Sequence, residues 1–144
     1  MEVAGNRGRP LAYRTAMATL DEAAAMASEL PEVTDGLRHG TRTWFVAGKG
    51  FAWERGFSKA DLRRFGDEKP PDGPIFAVRT ADLMEKEAIL AAGHKGVFTI
   101  EHFNAYPALL IQLKAVGKRV LRELIVDAWL ACAPPKVADA YLAR

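Results

Sequence analysis

The sequence predicts a two-layer α+β domain in which helices pack on a largely antiparallel five-stranded sheet. Three observations support this class. The length of 144 residues suits a single domain. Stretches in which apolar residues follow the two-residue period of strands alternate with stretches that follow the three-to-four-residue period of helices. Short hairpin connections join the early strands. The expected order is α-β-β-β-α-β-β-α, with residues 1–17 as an N-terminal tail and residues 18–144 as the domain.

Three helices are expected from their capping residues and apolar stripes. The first begins after Thr19, because Glu22 stands three residues further on and completes a capping box. The second and third cover residues 81–92 and 118–133. The last helix has the clearest apolar stripe, and Trp129 lies on it, so we expect this residue in the core.

Five runs of β-branched, aromatic and other apolar residues predict the strands. The first two strands form a hairpin around the turn Gly48-Lys49-Gly50. Glycine and proline are frequent in residues 56–74, which are therefore predicted to be a loop, with a helical turn that Ser58 could cap. The predicted strands are residues 43–47, 51–55, 74–80, 97–100 and 108–113.

The charges are strongly segregated although the net charge is only +2. Residues 18–36 contain five acids and no base, whereas residues 37–65 contain seven bases and two acids. Arginine side chains match phosphate geometry, and a two-stranded ribbon can enter a DNA groove. The hairpin therefore predicts weak, phosphate-dominated DNA binding, although solvated surface charge explains the same pattern. The candidate nucleic-acid-binding residues are Arg42, Lys49, Arg55, Arg63 and Arg64.

A small-ligand pocket is a second candidate site. Histidine and aromatic residues in or near the predicted strands would line it, namely His39, Trp44, His102 and Tyr106. No nucleophile with an adjacent base and no paired carboxylates accompany them, so we predict no catalytic residue. The three histidines of the chain have no ligand spacing around them, so no metal site and no cofactor are predicted.

Several classes of protein are excluded by composition. No apolar run approaches the roughly 18 residues that cross a bilayer, so no membrane partner is expected. Arginines near the N-terminus are not followed by an apolar stretch, which argues against a secretory signal. The single cysteine, Cys132, excludes an intramolecular disulfide and is expected to be a buried thiol. A cytoplasmic monomer or weak dimer is the resulting expectation.

Four short motifs, in order between residues 17 and 142, resemble the MmcQ/YjbR-like family. The resemblance implies an α-β(3)-α-β(2)-α fold similar to that of type III secretion chaperones. It also implies a proposed DNA-binding role through protruding wings, of which the basic hairpin would be one. The motifs are Leu30-Pro31-Glu32-Val33-Thr34-Asp35-Gly36, Gly40-Thr41 with Trp44, Phe98-Thr99 with His102-Phe103 and Tyr106-Pro107, and Asp127-Ala128-Trp129 with Pro135-Lys136.

Three functions remain open at this point. A continuous positive face would favour DNA binding through the hairpin. An exposed apolar patch would favour a protein-interaction or chaperone-like module without a nucleic-acid role. A deep cleft would favour a small-ligand pocket around His102 and Tyr106.

Overall fold

The computed structural model describes residues 18–144, and the predicted tail at residues 1–17 lies outside the described residues. The described chain forms an α+β structure around one antiparallel sheet, which confirms the predicted fold class. The sheet has six strands in the order β1-β2-β3-β4-β6-β5. The strands are β1 (Val33–Arg38), β2 (Thr41–Val46), β3 (Lys49–Glu54), β4 (Ile75–Arg79), β5 (Val97–Phe98) and β6 (Ala108–Gln112).

Five α-helices accompany the sheet in this part of the chain. The predicted capping box begins the first helix, since the Thr19 hydroxyl accepts from the Glu22 N–H at 3.1 Å and the Glu22 carboxylate accepts from the Thr19 N–H at 2.9 Å. A short 3₁₀ turn at Glu101–Phe103 precedes β6. The helices are α1 (Leu20–Ser28), α2 (Lys59–Phe65), α3 (Leu83–Ala91), α4 (Lys118–Cys132) and α5 (Pro135–Ala143).

The sheet has one strand more than predicted. Strand β1 lies at the edge of the sheet and pairs with β2 alone. Four of its six residues are exposed and none is buried. A strand that buries neither face shows no alternation of apolar and polar residues, so its sequence carried no signal of a strand.

Two tight turns with positive φ connect the first three strands. Residues His39 and Gly40 join β1 to β2 with φ values of 54° and 75°. Residues Ala47 and Gly48 join β2 to β3 with φ values of 51° and 77°. Both pairs fit the type I′ geometry that matches strand twist. The predicted turn Gly48-Lys49-Gly50 was therefore wrong by one residue, and Lys49 is the first residue of β3.

One face of the sheet carries the main core. Helices α1 and α4 pack there, and α4 contacts both β3 and β4. Trp44 of β2 and Trp129 of α4 are fully buried in this core, as the stripe of α4 predicts for Trp129. Alternate strand residues point to this face, so the intervening ones are left for the other side.

The second face of the sheet has a smaller apolar cluster, which includes Phe103, Ala108 and Leu110. Helix α2 and the 3₁₀ turn contact each other over this face. Ser58 caps α2 by accepting from the Asp61 N–H at 3.1 Å, as its sequence position predicts. The cover is partial, and the rest of the second face is open.

Helix α3 turns a different side inward from the one its apolar residues suggest. Met84 is 81% exposed, whereas Lys86 is buried. The buried ammonium group of Lys86 donates hydrogen bonds to backbone carbonyls in and just after the 3₁₀ turn. None of the helices within residues 18–144 has both the length and the apolar character needed to cross a membrane.

Candidate functional site

A cleft of about 660 Å³ opens on the second face of the sheet, beside the 3₁₀ turn. Its volume is in the usual range for small-molecule sites. Three arginines, two histidines and three aromatic residues line it, together with two threonines and a glycine, and no carboxylate does. These residues are Arg38, Arg55, Arg79, His39, His102, Trp53, Phe103, Tyr106, Thr41, Thr43 and Gly50.

Strand register brings the cleft residues to one face. Thr43 of β2 pairs with Trp53 of β3, and paired residues project to the same side of a sheet. A bulge then shifts the register, because Trp44 pairs with Ala52 whereas Phe45 pairs with Gly50. The extra residue in β3 changes which of its residues face the cleft, and Gly50 is one of those that line it.

Gly50 lines the cleft at a point where the side chains of Thr43 and Arg38 come close to the backbone. A Cβ atom added there would lie 2.9 Å from Thr43 Cγ2 and 3.3 Å from a terminal nitrogen of Arg38. The first distance is shorter than a van der Waals contact allows. The position therefore accommodates glycine because the Thr43 and Arg38 side chains occupy the space above it.

Two contacts orient Arg38, which is exposed and lines the cleft. Its guanidinium donates to the Gly48 carbonyl at 3.1 Å and lies 4.7 Å from the centre of the Phe45 ring. No carboxylate within residues 18–144 pairs with it. Its positive charge is thus oriented by neutral groups and remains available to an anion.

Arg55 is anchored by a buried carboxylate. Its guanidinium lies 3.0 Å from Asp61, donates to the Gly56 carbonyl, and faces the Phe103 ring at 5.4 Å. Burial raises the pKa of Asp61, but the Ser58 N–H and the Arg55 guanidinium outweigh this effect and hold the pKa below its ordinary value. Asp61 is therefore ionised at neutral pH and fixes Arg55 at the edge of the cleft.

Arg79 has the fewest partners of the three cleft arginines. Its guanidinium carbon lies 5.5 Å from the centre of the Tyr106 ring, and no described carboxylate forms an ion pair with it. Its Nε is buried and has no hydrogen-bond partner among the described residues. A buried N–H that lacks a partner costs about 1–3 kcal/mol, so this side chain is held in place by its surroundings at some cost.

Lys86 holds the backbone of the segment that carries Phe103 and Tyr106, two of the aromatic residues that line the cleft. Its ammonium group donates to the Tyr106 carbonyl at 2.8 Å and to the Phe103 carbonyl. Burial lowers the pKa of Lys86, and the nearby charge of Glu87 opposes this effect. The buried ammonium therefore connects helix α3 to the segment that carries both rings.

Replacing Lys86 with methionine tests the burial of this ammonium group through the pH dependence of stability. The folded-state pKa of Lys86 lies below its ordinary value of 10.5, so between these two values the unfolded chain binds more protons. Stability of the wild type should therefore rise with pH through this window, whereas Lys86→Met lacks the change. Urea titrations between pH 7 and 10.5 measure the difference, and parallel curves for the two proteins would contradict a depressed pKa.

The structure brings together four of the nine candidate site residues predicted from the sequence. His39, Arg55, His102 and Tyr106 line the cleft. Trp44 is fully buried on the opposite, helix-covered face, where its indole N–H donates to Ser28 at 3.1 Å. The remaining four do not line the cleft, namely Arg42, Lys49, Arg63 and Arg64.

The hairpin cations do not form one surface. Arg42 lies 4.8 Å from the Trp44 ring and pairs with the exposed Asp35 at 3.4 Å. Lys49 stands opposite Val46 in the strand register, at the other end of the β2–β3 hairpin from Arg42. Arg64 pairs with Asp61 at 3.7 Å and with Glu101 at 3.2 Å, and Arg63 is exposed on α2.

Sequence reasoning missed most of the groups that build the cleft. Arg38 and Trp53 follow the same alternation as Thr43, so a correct strand register would have found them. Arg79 reaches the site through the pairing of β4 with β6, which joins distant parts of the chain. Lys86 gave no signal, since a lysine on a helix is usually exposed.

Comparison with known proteins gives three relatives, each 41% identical over 131 residues, which is 89% of this chain and 98% of each relative. They are the uncharacterized protein Mb2600 of Mycobacterium bovis and the uncharacterized proteins MT2646 and Rv2570 of two Mycobacterium tuberculosis strains. The chain belongs to the Rv2570 family. No family model and no solved structure matches it.

In this member of the Rv2570 family, the cysteine lies apart from the cleft. Cys132 is buried at the end of α4, as its place on the apolar stripe predicts. Burial raises the pKa of its thiol, and the more distant positive charges of Arg79 and Lys49 only partly oppose this. Within residues 18–144, no three histidine, cysteine or acidic side chains converge as metal ligands would.

Proposed function

We propose that the protein is a binding protein whose cleft takes an anionic ligand with a flat apolar part. The observation that carries the proposal is the composition of the cleft lining, which has three guanidinium groups, two imidazoles and three aromatic rings and no carboxylate. Arginine pairs with anions through planar, directional hydrogen bonds. The aromatic rings offer a surface on which a flat group can stack.

The electrostatics of the lining supports an anion more than a neutral ligand. Asp61 lies behind Arg55 and offsets one of the three charges, while Arg38 and Arg79 have no described carboxylate partner. Like charges collected on one concave surface raise the local concentration of counter-ions. An anion in the cleft would relieve the repulsion among the guanidinium groups.

Binding of DNA through the basic hairpin has less support. Its five candidate cations are separated along the strands and α2, and Arg42 and Arg64 already have carboxylate partners. The order of the main elements supports the MmcQ/YjbR-like resemblance, which we retain as a proposal. A cytoplasmic location also belongs to the proposal, and a chain with a single cysteine and no intramolecular disulfide is compatible with it.

A protein-interaction surface has the weakest support. Among residues 18–144, the most exposed large apolar side chains are Leu37, Met84 and Leu142. They belong to β1, α3 and α5 respectively, and an interface would require such residues to be contiguous. The structure therefore offers more to a small ligand than to a docking protein.

Anilinonaphthalene sulfonate, which joins a flat ring system to a fixed anion, is a suitable probe of this proposal. We expect one saturable site in the wild type, and about 10-fold weaker binding to Arg79→Gln, because a hydrogen bond to a charged group contributes about 1.5–3 kcal/mol. Arg42→Gln is the matched control, since it removes an arginine outside the cleft, and it should bind like the wild type. Equal binding to wild type and Arg79→Gln would overturn the proposal, and a loss confined to Arg42→Gln would favour the hairpin.

A further inference from the structure

We infer that the ligand of the cleft is a phosphate monoester that also carries a flat ring, of the size and chemistry of a nucleoside monophosphate. This inference rests on the proposed function and makes it more specific. It depends on three features: the number of guanidinium groups without a carboxylate, the position of Arg79 beside an exposed aromatic ring, and the limited extent of the positive surface.

The first feature is the charge that a ligand must balance. Arg38 and Arg79 have no carboxylate partner among residues 18–144, and Arg55 shares Asp61 with Arg64. A carboxylate carries one negative charge and two acceptor oxygens. A phosphomonoester carries about 1.5 to 2 negative charges at neutral pH and three strong acceptor oxygens. The charge of a phosphomonoester therefore balances that of two arginines without a carboxylate partner, whereas a single carboxylate balances only one.

The second feature is that the positive groups adjoin a stacking surface. Tyr106 is 41% exposed, and its ring centre lies 6.4 Å from that of Trp53 and 5.5 Å from that of Phe103. Arg79 lies 5.5 Å from the Tyr106 ring. A ligand that reaches both must hold its phosphate within a few bonds of a flat ring. Nucleobases stack on aromatic side chains, with about 1–3 kcal/mol per base.

The third feature limits the ligand to a small molecule. A nucleic-acid strand needs a positive track along which successive phosphates can lie. The other cations of the hairpin region do not continue such a track from the cleft, because Arg42 lies on the other face of the sheet and Arg64 is paired with Asp61 and Glu101. A volume of about 660 Å³ suits one nucleotide unit better than a continuous strand.

The inference can be tested by ligand titration monitored by tryptophan fluorescence. Trp44 and Trp129 are fully buried, and Trp53 lines the cleft, so a change in emission on binding reports on the site. The titrants are adenosine monophosphate, adenosine, inorganic phosphate, naphthoate and a short single-stranded oligoadenylate. We expect the dissociation constant of adenosine monophosphate to be at least about 10-fold lower than that of each other titrant. Arg79→Gln should abolish this preference, and Arg42→Gln should retain it.

The outcomes separate this inference from the proposed function. Naphthoate binding as tightly as adenosine monophosphate, with the same dependence on Arg79, would overturn the phosphate inference and leave the anion-binding function intact. Tighter binding of the oligoadenylate would replace the small molecule by a nucleic-acid strand and would also overturn it. If neither these anions nor anilinonaphthalene sulfonate bind, the proposed function itself fails.

Discussion

Replacing Trp129 with alanine is expected to lower the free energy of unfolding by about 3–5 kcal/mol. The side chain is fully buried in the main core, and its ring centre lies 5.1 Å from that of Tyr141 on α5. Its indole N–H also donates to the Pro31 carbonyl at 3.1 Å. Alanine would leave a large cavity and an unpaired carbonyl, and a urea titration followed by circular dichroism measures the loss.

Leu37→Ala provides the control for this prediction. Leu37 is 76% exposed on the edge strand, so its truncation should change the free energy of unfolding by no more than about 0.5 kcal/mol. If Trp129→Ala does not fold, Trp129→Phe keeps most of the packing and should fold with an intermediate loss. A Trp129→Ala protein as stable as Leu37→Ala would contradict the burial of this side chain.

The second large effect is expected for Asp61→Asn, which should cost about 2–3 kcal/mol of folding free energy. The substitution leaves the partly buried Arg55 without its counter-charge and weakens the cap of α2. Asp35→Asn is the matched control, because the pair of Asp35 with Arg42 is exposed and such pairs contribute about 0–1 kcal/mol. Equal losses for the two variants would contradict a special role for Asp61.

The loss caused by Asp61→Asn should also depend on pH. The folded-state pKa of Asp61 lies below its ordinary value of 3.8, so its contribution to stability is fully present above 3.8 and is lost as the pH falls through the folded-state pKa. The stability difference between wild type and Asp61→Asn should therefore be constant at neutral pH and shrink below pH 3.8. A difference that persists unchanged at lower pH would show that the ionised carboxylate is not its source.

The elements that bury a regular face could be predicted from the sequence. The capping box at Thr19 and the stripe that contains Trp129 are local patterns, and the structure confirms both. Strand β1 could not be predicted in this way, because an exposed edge strand has no apolar side to reveal it. The hairpin turn was misplaced because its first residue is Ala47, which adopts a positive φ that glycine adopts far more readily, and two glycines stand just after it.

The cleft was only partly predictable because successive strand residues face opposite sides of the sheet, and the sequence did not show which set faces the cleft. Trp44 and Phe45 are adjacent aromatic residues on β2, and either could face the helices. The bulge opposite them also reverses, within β3, which residues face the helices and which face the cleft. Arg79 and Lys86 come from later segments whose position depends on long-range pairing and packing. No local pattern contains that information.

The separation of the two sheet faces has a consequence for how proteins of this family can diverge. The residues of β2 and β3 that face the helices, such as Trp44 and Ala52, are interleaved with those that face the cleft, such as Thr43 and Trp53. Exchanging the second set leaves the first set and its helical cover untouched. A few substitutions could thus give one scaffold a new ligand preference without loss of its architecture.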